Sequence, residues 1–269
     1  MSIYKNTKLD ELVECLDSIF NQSVKSDDIV IVFDGPVSSD VETYLDGLVA
    51  EHAELNLVKC ETNRGLGPAL ATGMEACKNE LIARMDTDDV CAEGRFEAQL
   101  AAFEDHPECS VIGGNMSEFT ETPDKVCSVR NVPESHDEIC AFMKKRCPFN
   151  HITVMVKKSD VLEAGGYQSW YCNEDYYLWV RMYLSGCKFY NVQKILSCAR
   201  VDSMMERRGG KKYYQSECGL FKFMLDNKVI TKKEYRRAKR IRFIVQRMMP
   251  NRIRQWAFKK FARDKSCKA

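Results

Sequence analysis

The sequence has little of what marks a membrane-spanning, secreted or metal-stapled chain. Its uninterrupted apolar runs are short, Ile29–Phe33 being typical, whereas a membrane-crossing helix needs about 20 predominantly apolar residues, so no transmembrane segment is predicted. The N-terminus, MSIYKNTKLDELVECLDSIF, has no basic region followed by an apolar stretch and a small-residue cleavage site. It does not read as a secretory signal, and the cytosol is the expected compartment. The closest pair among 13 cysteines is Cys140 and Cys147, which excludes any CxxC motif; free thiols in a reducing compartment are expected. The four histidines, His52, His106, His136 and His151, never stand at i, i+4, so no histidine metal centre is predicted. With 14 Gly and 7 Pro among 269 residues, collagenous and low-complexity classes are excluded. What remains is a globular chain of a size for one large domain, with or without a small appendage.

The net charge of +1 hides a strong asymmetry. From Lys228 to the last residue, 16 Lys and Arg face only Glu234 and Asp264, a net of +14 that leaves the rest of the chain at −13. An acidic body with a basic tail implies that the tail meets something anionic. Ile241, Ile244, Val245, Met248 and Met249 recur at helical spacing among arginines, and Ile253, Trp256, Ala257 and Phe261 follow Pro250. Two basic amphipathic segments are predicted, suited either to the headgroup region of an anionic leaflet or to packing on the acidic body. No nucleic-acid-binding motif accompanies the charge, so nucleic acid is not an expected partner.

The remainder alternates helices and strands as an α/β chain does. Leu9, Leu12, Val13, Leu16 and Phe20 share one helical face, and Ile29–Phe33 is a continuous apolar run of the kind buried in a parallel sheet. Further strands are predicted over 55–58, 81–85, 111–113 and 152–156, and helices over 68–77, 95–103 and 175–184. Ligands of open α/β sheets bind at the carboxyl ends of strands. Two such ends carry Asp34-Gly35-Pro36 and Asp86-Thr87-Asp88-Asp89. Two carboxylates one residue apart at the end of a buried strand can hold a hard divalent cation with positions left for phosphate oxygens, as a nucleoside diphosphate needs.

An ordered set of segments carries a resemblance: Ser2-Ile3-Tyr4, LVECLDSIFNQ, IVIVFDG, Asn63-Arg64-Gly65-Leu66-Gly67, ARMDTDD, Pro148-Phe149-Asn150-His151, Gly165-Gly166-Tyr167 and Asn173-Glu174-Asp175-Tyr176. Over most of the body the chain resembles the family 2 glycosyltransferases of the GT-A fold. The resemblance implies a Rossmann-like nucleotide-diphospho-sugar transferase, an α/β/α sandwich over 1–225; the charge and spacing read above make 226–269 a basic helical tail suited to a membrane surface. It implies that Tyr4 and Asp34 touch the nucleotide base and that Asp86 and Asp88 engage the diphosphate and a divalent cation, Mn2+ or Mg2+. Asp175 would be the catalytic base and Glu174 a binder of the acceptor hydroxyl. Arg64 is a candidate for phosphate or ribose, His151 for the acceptor, Arg84 for support of the site, and Arg207 with Arg208 for a clamp on the diphosphate. Read without the resemblance, 63–67 is a glycine turn and Glu174 and Asp175 cap a helix.

Within the family, LVECLDSIFNQ, ARMDTDD, PFNHITVM, GGYQ and NEDYYLWVRM look most like bacterial enzymes that extend lipid-linked O-antigen or exopolysaccharide units. These include β-1,3-galactosyl- or glucosyltransferases acting on GlcNAc-diphospho-undecaprenol. The expected activity is inverting transfer of a hexose from UDP-galactose or UDP-glucose to a lipid-diphosphate-linked saccharide, in the cytoplasm at the inner face of the plasma membrane. The rivals are a sugar nucleotidyltransferase, whose glycine-rich, lysine-containing N-terminal loop is missing, and a membrane-docked saccharide- or nucleotide-binding module without catalysis. Set beside the family pattern, the first strand is expected to be truncated at Met1, and a form with an apolar N-terminal extension to be more stable.

Overall fold

The computed structural model describes residues 1–201, 209–250 and 253. A short strand, β1 (Ser2–Ile3), precedes α1 (Leu9–Phe20), whose Leu12, Cys15, Leu16 and Ile19 fall on one buried face, with Asp10 and Glu11 in the first turn where the helix dipole favours acids. Next come β2 (Ile29–Phe33), α2 (Ser39–Glu51), β3 (Leu55–Lys59) and α3 (Leu66–Ala76). β1, β2 and β3 form a parallel sheet in that order, with Ser2 opposite Val32 and Ile29 opposite Leu55. The apolar run of β2 is explained by burial on both faces. Ile29, Ile31 and Phe33 pack with α1 and with Val41 and Leu45 of α2, whereas Val30 and Val32 meet Ala69 of α3.

The second sheet draws on β4 (Leu81–Ala83), β5 (Val90–Cys91), β6 (Cys109–Phe119), β7 (Val126–Arg130), β8 (Met155–Lys157) and β9 (Lys188–Arg200). Its order is β4-β8-β6-β9-β5, with β7 on β6. β6 and β9 run parallel from Cys109 opposite Lys188 to Phe119 opposite Arg200. Helices α4 (Arg95–Asp105), α5 (His136–Met143), α6 (Lys158–Glu163) and α7 (Glu174–Leu184) accompany it. The strand expected over 152–156 starts late. His151–Thr153 is a 3-10 turn in which the Thr153 hydroxyl bonds the carbonyls of Asn150 (2.8 Å) and Gly114 (3.1 Å), and such local bonds compete with the ladder.

Between β2 and β4 lies an apolar slot of about 310 Å³, walled by Ile19, Ile29, Leu81, Ala83, Phe96 and Met155. The Met1 ammonium sits at its side and donates to the Val30 carbonyl at 2.8 Å.

Helices α8 (Gly210–Asp226) and α9 (Lys232–Phe243) bring Leu220, Phe221, Met224 and Ala238 onto the core around Phe149, Trp179 and Phe189. α9 begins with a Thr231–Glu234 capping box and runs into a π turn, Ile244–Met248. Among the described residues no helix is long and apolar enough to cross a membrane.

Candidate active site

Asp86, Asp88 and Asp89 occupy the connection between β4 and β5, and the pairing of Val90 with Cys198 brings Arg200, at the end of β9, beside it. One carboxylate oxygen from each aspartate lies within 4.8 Å of the others. Asp88 opens into a cleft but is walled by protein elsewhere; that desolvation, and then the Asp86 charge, push its carboxyl up to about 6. Burial and then Asp86 raise Asp89 too. Buried Arg84 pairs with Asp86. The Arg200 N–H donates to Asp89 Oδ1 at 2.8 Å, its guanidinium reaches Glu14 at 2.5 Å, and the Cys15 thiol donates to the Asp86 carbonyl at 3.2 Å. Beneath them Arg95 donates to the carbonyls of Arg84 (2.9 Å) and Val154 (3.2 Å), placing a buried positive charge under the acidic turn.

Asp34 stands at the end of β2, where its carboxylate accepts the N–H groups of Arg64 (2.7 Å) and Gly65 (3.0 Å) and so pins that loop to the sheet edge. Gly35 has a φ of +81°, and a Cβ there would lie 2.6 Å from the Asn63 nitrogen, so this turn requires glycine. The Arg64 guanidinium lies against α3, donating to Thr72 at 2.9 Å.

Glu174 and Asp175 open α7 without a side-chain cap; the Asn173 amide at the N-cap instead donates to the Ser216 hydroxyl at 3.1 Å. The Cys147 thiol lies 3.4 Å from Asp175 Oδ2 and 3.5 Å from the Phe149 carbonyl. Burial, then the Asp175 charge, push that thiol well up, so it stays a protonated donor. Burial also raises the Glu174 carboxyl. Arg130 donates to the Cys147 carbonyl at 3.0 Å. Asn150 is buried; its amide donates to the carbonyls of Gly114 (2.8 Å) and Arg130 (3.2 Å), while its Oδ1 has no partner in the protein. His151 Nε2 meets the Tyr167 hydroxyl at 2.9 Å, and burial followed by the Arg84 charge holds the ring well below its ordinary pKa. Its imidazole is neutral at pH 7.

A cleft of about 580 Å³ is lined by Tyr4, Asp86, Asp88, His151, Glu174 and Asp175 together. These six sequence-predicted residues come from the N-terminal segment, the β4–β5 turn, the 3-10 turn and the start of α7. Arg84 also lines the cleft, but Asp34 and Arg64 do not; they shape the loop before α3. Arg207 and Arg208 lie outside the described residues. Sequence reasoning missed Asp89, Arg130, Asn150 and Arg200 in the lining. Asp89 was visible in the DTDD run, but nothing local linked Arg200 to Glu14, 186 positions away.

Residues 1–160 match the family described as Glycosyl transferase family 2. The chain belongs to that family. A relative 43% identical over 223 residues, 82% of each chain, is an uncharacterized glycosyltransferase of Haemophilus influenzae. The amylovoran biosynthesis glycosyltransferase AmsE of Erwinia amylovora is 37% identical over 84% of each chain. The UDP-Gal:alpha-D-GlcNAc-diphosphoundecaprenol beta-1,3-galactosyltransferase of Escherichia coli is 34% identical over 81% of this chain and 78% of its own. Among solved structures, S. aureus TarS 1-349 in complex with UDP-GlcNAc superposes with a TM-score of 0.66 at 15% identity, covering 97% of this chain and 74% of that one. Mannosyltransferase PcManGT from Pyrobaculum calidifontis in complex with GDP-Man and Mn2+ gives 0.64 at 14%, with the same coverage.

This family 2 glycosyltransferase therefore has the GT-A fold, and the sugar nucleotidyltransferase alternative falls away. Its acidic turn fits a divalent cation on its own chemistry. Three carboxylates held within 4.8 Å, two of them raised by burial and mutual repulsion, form an oxygen donor set whose crowding a dication relieves.

Proposed function

We propose that this glycosyltransferase moves a hexose, with inversion, from UDP-galactose or UDP-glucose to a saccharide carried on a lipid diphosphate, in the synthesis of a bacterial surface polysaccharide. The observation that supports the reading most is one cleft holding both a carboxylate triad and, on a separate element, Asp175 with its thiol donor. Asp86 and Asp88, with Asp89, would hold Mn2+ or Mg2+, which supplies positive charge against a leaving diphosphate. Asp175 takes the proton of the acceptor hydroxyl as that oxygen bonds to the anomeric carbon. The bond from that carbon to the diphosphate breaks, and its electron pair leaves with UDP. A single displacement inverts the configuration.

Glu174 and neutral His151 serve the acceptor, and Tyr4, 41% exposed, serves the nucleotide base, with Asp34 acting through the loop its carboxylate pins. Arg207 and Arg208 serve the donor phosphates, and Arg64, whose guanidinium rests on Thr72 outside the cleft lining, serves the donor through the loop it anchors. The donor and acceptor classes are those named for the E. coli relative, and the Erwinia relative is named for amylovoran biosynthesis. α9 and the rest of the basic tail hold the enzyme against anionic lipid at the inner face of the plasma membrane, where such an acceptor resides.

The test supplies UDP-galactose, UDP-glucose and UDP-N-acetylhexosamine separately, with Mn2+, and measures UDP release and sugar transfer to a GlcNAc-diphospholipid. Transfer from one hexose donor is expected. Asp175→Asn should lower kcat by about 10²–10⁴ while donor affinity stays within about twofold; near-normal turnover in that variant would place the base elsewhere.

A further inference from the structure

The cleft and its rim carry several cationic side chains, and most are committed to the donor side. Lys8 pairs with Glu11, Arg84 with Asp86, and Arg200 with Glu11 and Glu14. Arg130 lines the same cleft as Asp175 and donates to the carbonyl of Cys147, the residue whose thiol touches that carboxylate. Cys147 is preceded by Lys144, Lys145 and Arg146. The Lys145 carbonyl is in turn held at 2.9 Å by Arg242 of α9, and the charges of Lys144 and Lys145 help keep Glu234, in the first turn of α9, below the usual carboxylate range after its bonds with Thr231. Along the chain, the cations at 144–146 thus stand between the cleft residue Cys147 and the basic helix that holds the Lys145 carbonyl. The three peptide steps from Cys147 back to Lys144 reach at most about 10 Å. The carboxylates near this run include Asp175 itself, with Glu174 beside it in the cleft, Glu217, taken by Arg242, and Glu234, bonded to Thr231.

An acceptor sugar linked to a lipid diphosphate imposes a geometric demand. If its hydroxyl sits at Asp175, its own phosphates must emerge one sugar ring away, and the lipid must then run to the bilayer. We propose that Arg130, with Lys144, Lys145 and Arg146 beyond it, forms the subsite for the diphosphate of a lipid-linked acceptor, and that Asn150 Oδ1 accepts a hydroxyl of its sugar. The inference rests on the reading of Asp175 as the base. Arginine forks bind phosphate oxygens in pairs, and the unpartnered Asn150 oxygen is buried in the cleft wall next to Arg130.

The full chain is tested by flotation with phosphatidylcholine vesicles carrying either a polyprenyl-diphosphate-linked N-acetylhexosamine or an N-acetylhexosamine glycolipid without phosphate. Vesicles containing phosphatidylglycerol alone report headgroup attraction separately. A preference of about tenfold or more for the diphosphate vesicles is expected. It should be lost in Arg130→Gln and in the Lys144→Gln/Lys145→Gln/Arg146→Gln variant, whose lysines and arginine are partly or fully exposed. In transfer assays the kcat/KM ratio between the two acceptors should fall by a similar factor. A preference that survives both variants, or is missing from the wild type, overturns the subsite. Binding preference without any sugar transfer upholds the subsite and refutes the hexosyltransfer reading.

Discussion

Cys147 and Asp175 come from distant parts of the chain, yet their side chains meet at 3.4 Å. A thiol is a weak donor, and here its proton is shared with the Phe149 carbonyl, so its worth lies in aiming the carboxylate rather than in binding energy. Because burial and the adjacent Asp175 charge keep the thiol protonated, it does not compete with Asp175 as a base. Removing it in Cys147→Ala should cost about 1 kcal/mol, which reads as roughly a fivefold lower kcat with the KM for the UDP-sugar unchanged. Cys147→Ser restores a donor and should return most of that loss. Steady-state kinetics of the three forms decide the matter: if the alanine and serine variants behave alike, Cys147 is a packing residue only.

Elements whose pattern reflects their own burial were legible in the sequence. α1 and β2 were read correctly because their apolar spacing is a direct image of the faces they bury, and the acidic turn stood out because it follows such a strand. Elements defined by partners far along the chain were not. β6 runs over eleven residues where the sequence suggested three, because Gly113, Gly114 and Asn115 interrupt its apolar pattern while pairing with β9 about 80 positions on. Arg130 carried no signal for the same reason, and Asn150 stood in a recognised segment with no role of its own to read.

At the scale of the whole molecule, the opposed charges of body and tail raise the question of which face of α9 is spent on the protein itself. Ala238 and Gln246 are buried, and Arg242 pairs with Glu217 at 3.3 Å while lying over the Phe221 ring. That side of the helix is bound to α8. On the other side Ile241, Ile244 and Met248 are exposed, 66% in the case of Met248, and follow one another at three- and four-residue steps with Arg237, Arg240 and Arg247 beside them. Of the two readings of the basic segment, packing on the body thus accounts for one side and leaves the apolar ridge open. The second segment, from Trp256 onward, lies outside the described residues. A ridge of this kind gains apolar burial in a leaflet, and each flanking cation adds about 1 kcal/mol with anionic lipid. Neutralising Arg237, Arg240 and Arg247 to Gln should therefore weaken binding to phosphatidylglycerol-containing vesicles on the order of 100-fold at low salt. The wild type should lose most of its binding as ionic strength rises beyond the physiological range. Because these three arginines are exposed and none of them lines the cleft, transfer to a short water-soluble acceptor is the control for an intact fold. Vesicle binding that ignores both the arginines and the anionic lipid fraction would mean that the tail serves the protein body and not the membrane.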